Sequence, residues 1–247
     1  MLILSRHSRL AGRRRDGAAP PRTRGSVAIE VLLIVPLILL MLLGFSELYL
    51  YMRATSMVEH AAFTLANSLG QMPYVVDDSS VSNANNLGTL WSDAALLADP
   101  DDLKNHGGVI ITSVCDGTSG STNCGWNQFG TQSLANGVPK ICWQASTPWT
   151  GVAMQSQVTS GSVLPPQSTW PFYRGDAALV IEVFYRYNPF PMTSTFWHDA
   201  PGATTIYRRV YARQRAMNWT SMPLMAIGGA AGAQGSNGCP GVIATGS

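Results

Sequence analysis

Residues 25–47 read GSVAIEVLLIVPLILLMLLGFSE, and the fold turns on what the middle of this stretch can do. From Val27 to Phe45 run 19 residues interrupted only by Glu30, Pro36 and Gly44. As a helix that length spans about 28 Å, close to the roughly 30 Å of bilayer hydrocarbon. No second run of comparable length occurs, so everything after residue 45 is expected on one side of a membrane.

The charge flanking the run says which side. The first 25 residues hold Arg6, Arg9, Arg13, Arg14, Arg15, Arg22 and Arg24 against the single Asp16, a balance of +6. Residues 26–247 hold 9 cationic and 13 anionic side chains, a balance of −4, and only the sum of the two parts gives the net +2 of the chain. An Arg-rich flank before an apolar run predicts a cytoplasmic N-terminus and an exported body. With 247 residues, 46% hydrophobic and 12% charged, the chain is too apolar to be disordered, and 24 Gly and 15 Pro are too few for collagen or low complexity. An acidic body also argues against a nucleic-acid partner.

Three fates of such an N-terminus compete. A cleaved secretory signal needs a small-x-small site, but the run ends in Gly44, Phe45, Ser46, Glu47 and Leu48. The twin-arginine route fits poorly, because Arg13–Arg15 are followed by Asp16, Gly17 and a Pro-containing spacer. An uncleaved signal anchor leaves Glu30 unexplained, a carboxylate four residues into the apolar run, where a charge costs a few kcal/mol and marks function by default. Cutting the chain between Gly25 and Ser26 would create an α-amino group at a depth that pairs with Glu30, on the same chain or on a neighbouring stem, and would set the register between packed helices.

Gly25-Ser26-Val27-Ala28-Ile29-Glu30 resembles the G-x-x-x-x-E processing site of type IV prepilins. With Pro36 in mid-run and Gly44 and Glu47 near its end, the stretch is similar to the TadE/TadF-type minor pseudopilins of the tight-adherence pilus. Val31 departs from the aromatic residue that often follows the glutamate. The resemblance implies removal of residues 1–25 by a prepilin peptidase and a role for Glu30 in recruitment and alignment among stems. It also implies residence in a bacterial inner membrane, with other pseudopilins, the major pilin and the assembly platform as partners, and a place in or beside an extracellular pilus. The alternative is an uncleaved bitopic inner-membrane protein with a periplasmic binding or scaffold domain.

Beyond the run, Leu48, Tyr51, Met52, Thr55, Val58, Ala62, Leu65 and Leu69 recur at steps of three and four, predicting that one helix continues from about Ser26 to Leu69 and presents this stripe to a head. Gly70 and Pro73 stop it. Residues 71–106 read as a connection over the surface with one short helix at Thr89–Leu97. Strands are expected at Val109–Cys115, Val138–Ala145, Ala177–Tyr187 and Thr204–Ala216. In the third, Glu182 and Arg186 face away from the apolar side. The fold class is α+β: a long N-terminal helix carrying an antiparallel β-sheet periplasmic head, pilin-like, divided as 1–25 leader, 26–70 stem, 71–106 connection, 107–220 head and 221–247 Gly-rich tail.

Four cysteines, Cys115, Cys124, Cys142 and Cys239, all follow the apolar run. Their spacings lack the C-x2-C pairs of zinc sites, so disulfides in an oxidising compartment are the better reading. Cys115–Cys124 with Cys142–Cys239 is favoured, and a direct bond between Cys115 and Cys142 competes. The stripe Tyr207, Arg209, Tyr211, Arg213 and Arg215 suits a nucleic acid or anionic surface, but pairing with Glu182 and solvation explain it better. The tail Gly228–Gly235 lacks the strand and helix of a phosphate loop, and His198-Asp199 lacks a nucleophile elbow. No enzyme, cofactor or metal is expected.

Overall fold

The computed structural model describes residues 24–72, 74–118, 133–190, 202–215 and 225–228. The chain divides into two compact units, Met1–Phe45 and Ser46–Ser247. Helix α1 (Arg24–Leu69) runs unbroken through Pro36. In the first unit the side chains of residues 27–45 are all exposed except Leu43, which is half-buried. A helix apolar around its whole circumference has no aqueous face, and this one meets the length and composition of a membrane span.

In the second unit α1 changes character. Ala54, Val58, Ala61, Ala62, Leu65, Ala66 and Leu69 are buried at steps of three and four, as one face of a helix requires. This face is rotated from the expected stripe at its start: Leu48 is 53% and Met52 63% exposed, whereas Ala54 and Ala61 are buried. Alanines hold four of these seven buried positions. The helix stops where Gly70 donates its N–H to the Ala66 carbonyl at 3.0 Å. A Cβ on Gly70 would sit 3.3 Å from the carbonyl oxygen of Arg213, so the glycine admits the close pass that lets Arg215 N–H reach the Gly70 carbonyl at 2.6 Å.

The sheet that receives α1 contains β2 (Gly107–Asp116), β4 (Pro139–Ser146), β6 (Ala177–Tyr187) and β7 (Thr204–Arg213) in the order β4-β2-β6-β7, antiparallel throughout. The α+β layout of a long apolar helix followed by a mostly antiparallel sheet domain is thus the observed one. Strand β6 has its expected bounds, and β7 ends three residues before its expected limit. One face of the sheet, with Val109, Ile111, Leu179, Ile181, Val183, Ile206 and Val210, joins the buried face of α1 in a single core. A bulge on β4 sets Ser113 against Trp143 and Val114 against Ile141, placing Cys142 as the extra residue.

The other face of the sheet, which carries Glu182, is covered as well. Residues 147–176, between β4 and β6, fold over it, and Val158, Val163 and Phe172 form a second core with Val114, Ala178 and Val180. Residues 71–106 are likewise more than a surface connection. They contribute β1 (Tyr74–Asp77), α2 (Leu87–Leu97) and α3 (Leu103–His106), and Leu87, Leu90, Trp91, Ala94 and Leu103 are buried in the main core. Strand β8 (Met225–Gly228) pairs parallel with β1, so part of the Gly-rich tail region is an ordered strand. Strands β3 (Ser133–Asn136) and β5 (Tyr173–Arg174) make a small antiparallel pair.

Candidate functional site

The residues singled out for processing lie at the start of α1. Gly25 and Ser26 fall in its first turn, and Glu30 lies one further turn along, exposed on the segment that is apolar on every side. That helical spacing places Glu30 near the N-terminus that a cut after Gly25 would create. The remaining landmarks follow on the same helix. Pro36 lies within it, and Gly44 has open space where a Cβ would stand.

Glu47 is the residue whose importance the sequence understated. It begins the buried face of α1, is 5% exposed, and neither carboxylate oxygen has a hydrogen-bond partner among the described residues. One turn on, the ring of Tyr51 meets Tyr187 of β6 edge-on at 5.4 Å. Burial, and then the negative charges of Glu47 and Asp101, push the Tyr187 phenol above its ordinary range. Burial and the Asp101 and Asp102 carboxylates push neighbouring Tyr185 up to about 12. Only the sequence position of Glu47, just after an apolar run, hinted at this.

The aromatic and basic stripe on β7 is largely consumed inside the head. Arg213 pairs with Asp176 at 2.8 Å, lies 4.9 Å over the Trp170 ring and donates to the Pro171 carbonyl. Arg209 lies 5.2 Å over Tyr211. Glu182 stands opposite Arg209 in the β6–β7 pairing and makes its cross-strand hydrogen bond with Tyr207 of the stripe. It is fully buried and accepts from Tyr207 O–H at 2.6 Å, from Gln157 N–H at 2.9 Å and from the Ser156 hydroxyl. A buried carboxylate is tolerated when donors surround it, and two of these three come from the segment that covers the second face.

Cys115 on β2 and Cys142 on β4 are 1% exposed and both disulfide-bonded. Cys124 and Cys239 lie outside the described residues, as do His7, the pair His198-Asp199 and the tail beyond Gly228. His60 is exposed on α1, and His106 lies 3.9 Å from Asp102. Among the described residues no three His, Cys, Asp or Glu side chains converge as a metal centre.

Comparison with known proteins adds one match. The family model described as TadE-like protein matches residues 25–66, starting at the glycine of the expected processing site and ending within the core-packing half of α1. No curated protein and no solved structure matches the chain. TadE-like proteins are structural components of the tight-adherence pilus rather than enzymes. The stem of this chain is therefore TadE-like, and together with its long apolar helix this supports a membrane-anchored protein associated with that pilus system.

Proposed function

We propose that the chain is a minor pseudopilin of a tight-adherence-type pilus machine, a substrate of the prepilin peptidase with no chemistry of its own. The cut falls between Gly25 and Ser26. The arginine-rich leader stays in the cytoplasm, α1 crosses the inner membrane, and the head lies in the periplasm. Glu30 pairs with the new α-amino group, on its own or a neighbouring stem, and aligns the chain with other pseudopilins, the major pilin and the assembly platform, where it primes, caps or assists assembly for surface attachment. The observation that carries this reading is the start of the TadE-like match at Gly25, where the leader ends and α1 begins. In the head, Cys115–Cys124 closes a local loop and Cys142–Cys239 ties the tail to the sheet. The bonded state of Cys115 and Cys142 supports an oxidising location.

Mass spectrometry of the protein from its native membrane tests the reading. A mature chain beginning at Ser26 is expected, and an intact leader overturns it. Glu30→Ala should insert normally yet reduce piliation, and wild-type piliation in that variant removes Glu30 from the mechanism. One observation favours the uncleaved binding-protein reading instead: a groove of about 1170 Å³ beside α2 and β4, lined in part by Trp91, Trp149, Met154 and Lys104. Under that reading the leader remains, and the same mass measurement separates the two.

A further inference from the structure

Strand β4 is an edge of the four-stranded sheet, pairing with β2 and with no other described strand. One bond fixes where its main-chain groups point. Thr147 donates its N–H to the Val109 carbonyl at 2.9 Å, which makes Val109 and Thr147 a hydrogen-bonded pair at the end of the β2–β4 ladder. Such pairs alternate along an antiparallel ladder, so Ala145 turns its N–H and C=O toward β2, while Gln144 and Ser146 turn theirs to the free edge. Among the described residues no main-chain group outside the ladder meets those of Gln144 or Ser146.

The groove of about 1170 Å³ is lined by Gln144, Ala145 and Ser146 in succession. Neighbouring side chains on a strand point to opposite faces. Ala145 is buried in the main core, whereas Gln144 reaches the other side and donates to Thr112 Oγ1 at 2.8 Å and to Ser156 Oγ at 2.9 Å. A groove that touches all three therefore straddles the strand's edge. Its walls agree, with Leu87 and Trp91 of α2 on the main-core side and Met154 and Ser156 from the segment that covers the second face.

Exposed sheet edges are normally blunted by prolines or charges. Pro139 opens β4 and Pro148 follows it, and the opposite edge strand, β7, carries Arg208, Arg209 and Arg213. Gln144–Ser146 has neither device. Its outward N–H and C=O groups recur about 7 Å apart, the repeat of a second extended chain. The groove is also larger than the roughly 300–1,000 Å³ of pockets that close round a small molecule.

We propose that this edge accepts an extended segment of another polypeptide, which adds to β4 as a fifth strand. Main-chain bonds to Gln144 and Ser146 hold the segment, and its alternate side chains, apolar or aromatic, fall against Trp91 and Leu87 on one side and Met154 on the other. Every residue used lies within 87–156, so strand addition stands whether the leader is removed or retained. The mass of the mature chain tests the pilus reading, and amide exchange tests this one.

The test uses the full chain in detergent micelles. The probe is a library of short synthetic peptides with Val, Ile, Leu, Phe or Tyr at alternate positions and Ser or Thr between them. In the free chain the amides of Gln144 and Ser146 should exchange with deuterium much faster than those of Ala145 and Thr147. A binding peptide at ten times its Kd should slow Gln144 and Ser146 roughly tenfold. Methylating alternate peptide N–H groups should weaken binding by roughly tenfold or more, because it removes bonds to the edge and leaves the side chains in place. Ser146→Pro should have the same effect, since it deletes an N–H that the ladder to β2 does not use; if that variant does not fold, the exchange pattern of the native chain decides. Equal protection of all four amides in the free chain overturns the proposal. So does a library in which no member slows Gln144 and Ser146 at about 1 mM, or binding indifferent to peptide methylation. Protection by cellulose or chitin oligosaccharides, with none from any peptide, would mark a saccharide cleft and likewise overturn strand addition.

Discussion

Asp116 shows how one side chain can close a turn. It ends β2, is 3% exposed, and its two oxygens accept from the N–H groups of Thr118 at 3.0 Å, Val138 at 2.9 Å and Gly175 at 3.0 Å, and from the Thr118 hydroxyl. Burial alone would raise its carboxyl, but these donors outweigh it and hold the group below the ordinary carboxylate range. A depressed carboxyl stabilises the fold above its unfolded pKa of about 3.9, and the contribution fades as pH falls through the lower folded value. Asp116→Ala should therefore cost about 2–4 kcal/mol near neutrality, since it strands buried N–H groups, and the gap to the native chain should narrow below about pH 4. Urea unfolding at both pH values measures it, and a gap that stays constant refutes the charge argument. Tyr207 offers the opposite sign. Burial and its bond to Glu182 raise its phenol above 10.0, so its stabilisation is complete below pH 10 and is lost as pH rises through the folded value. Tyr207→Phe should cost about 1–2 kcal/mol at neutrality and less in strong alkali. Neither network was legible in the sequence, because their donors stand 22, 25 or 59 residues from their acceptors.

At the scale of elements, α1 carries two hydrophobic patterns, and they differ in how well they can be read. The lipid-like run needs only length and composition, so its extent was legible from Val27 onward. The packed half depends on which residues the sheet approaches, and a hydropathy pattern gives Leu48 and Met52 more weight than Ala54 and Ala61. In the folded chain Ala54 and Ala61 are nevertheless the buried ones, while Leu48 and Met52 are exposed. Leu65→Ala should therefore cost about 2–5 kcal/mol by leaving a cavity, and Ala61→Leu about 1–3 kcal/mol by overfilling. Met52→Ser should change head stability by less than about 0.5 kcal/mol. Thermal melts of the three variants check the register, and a Met52→Ser loss as large as that of Leu65→Ala would refute it. Strand β6 makes the same point from the other direction. Its alternation located it to the residue, yet Glu182 made its second face read as wet. Which faces are covered is a property of residues 147–176, whose apolar members are scattered among serines, prolines and glycines and show no period.

The division of the whole molecule between Phe45 and Ser46 leads to the broadest prediction. Residues 27–45 expose nearly every side chain and contribute none to either core. Residues 54–69 of the same helix supply Val58, Leu65 and Leu69, each worth about 1.5–3 kcal/mol in burial, together with four alanines. Against a total stability of 5–15 kcal/mol typical of domains, that loss is decisive, and it would also bare Val109, Ile111, Leu179, Ile181 and Val183 on the sheet. A chain beginning at Ser46, exported to an oxidising compartment, should remain out of the membrane fraction and unfold in one cooperative transition by circular dichroism. A chain beginning at Gly70 should show no such transition and should aggregate through the uncovered face. Cooperative unfolding of the Gly70 chain would mean that α1 is an accessory to the head rather than part of its core. Failure of the Ser46 chain alone would mean that the membrane run contributes to folding despite its exposure. The helix is continuous across the boundary, so the same element must satisfy lipid on one stretch and a protein core on the next, and Glu47 stands at the change of solvent.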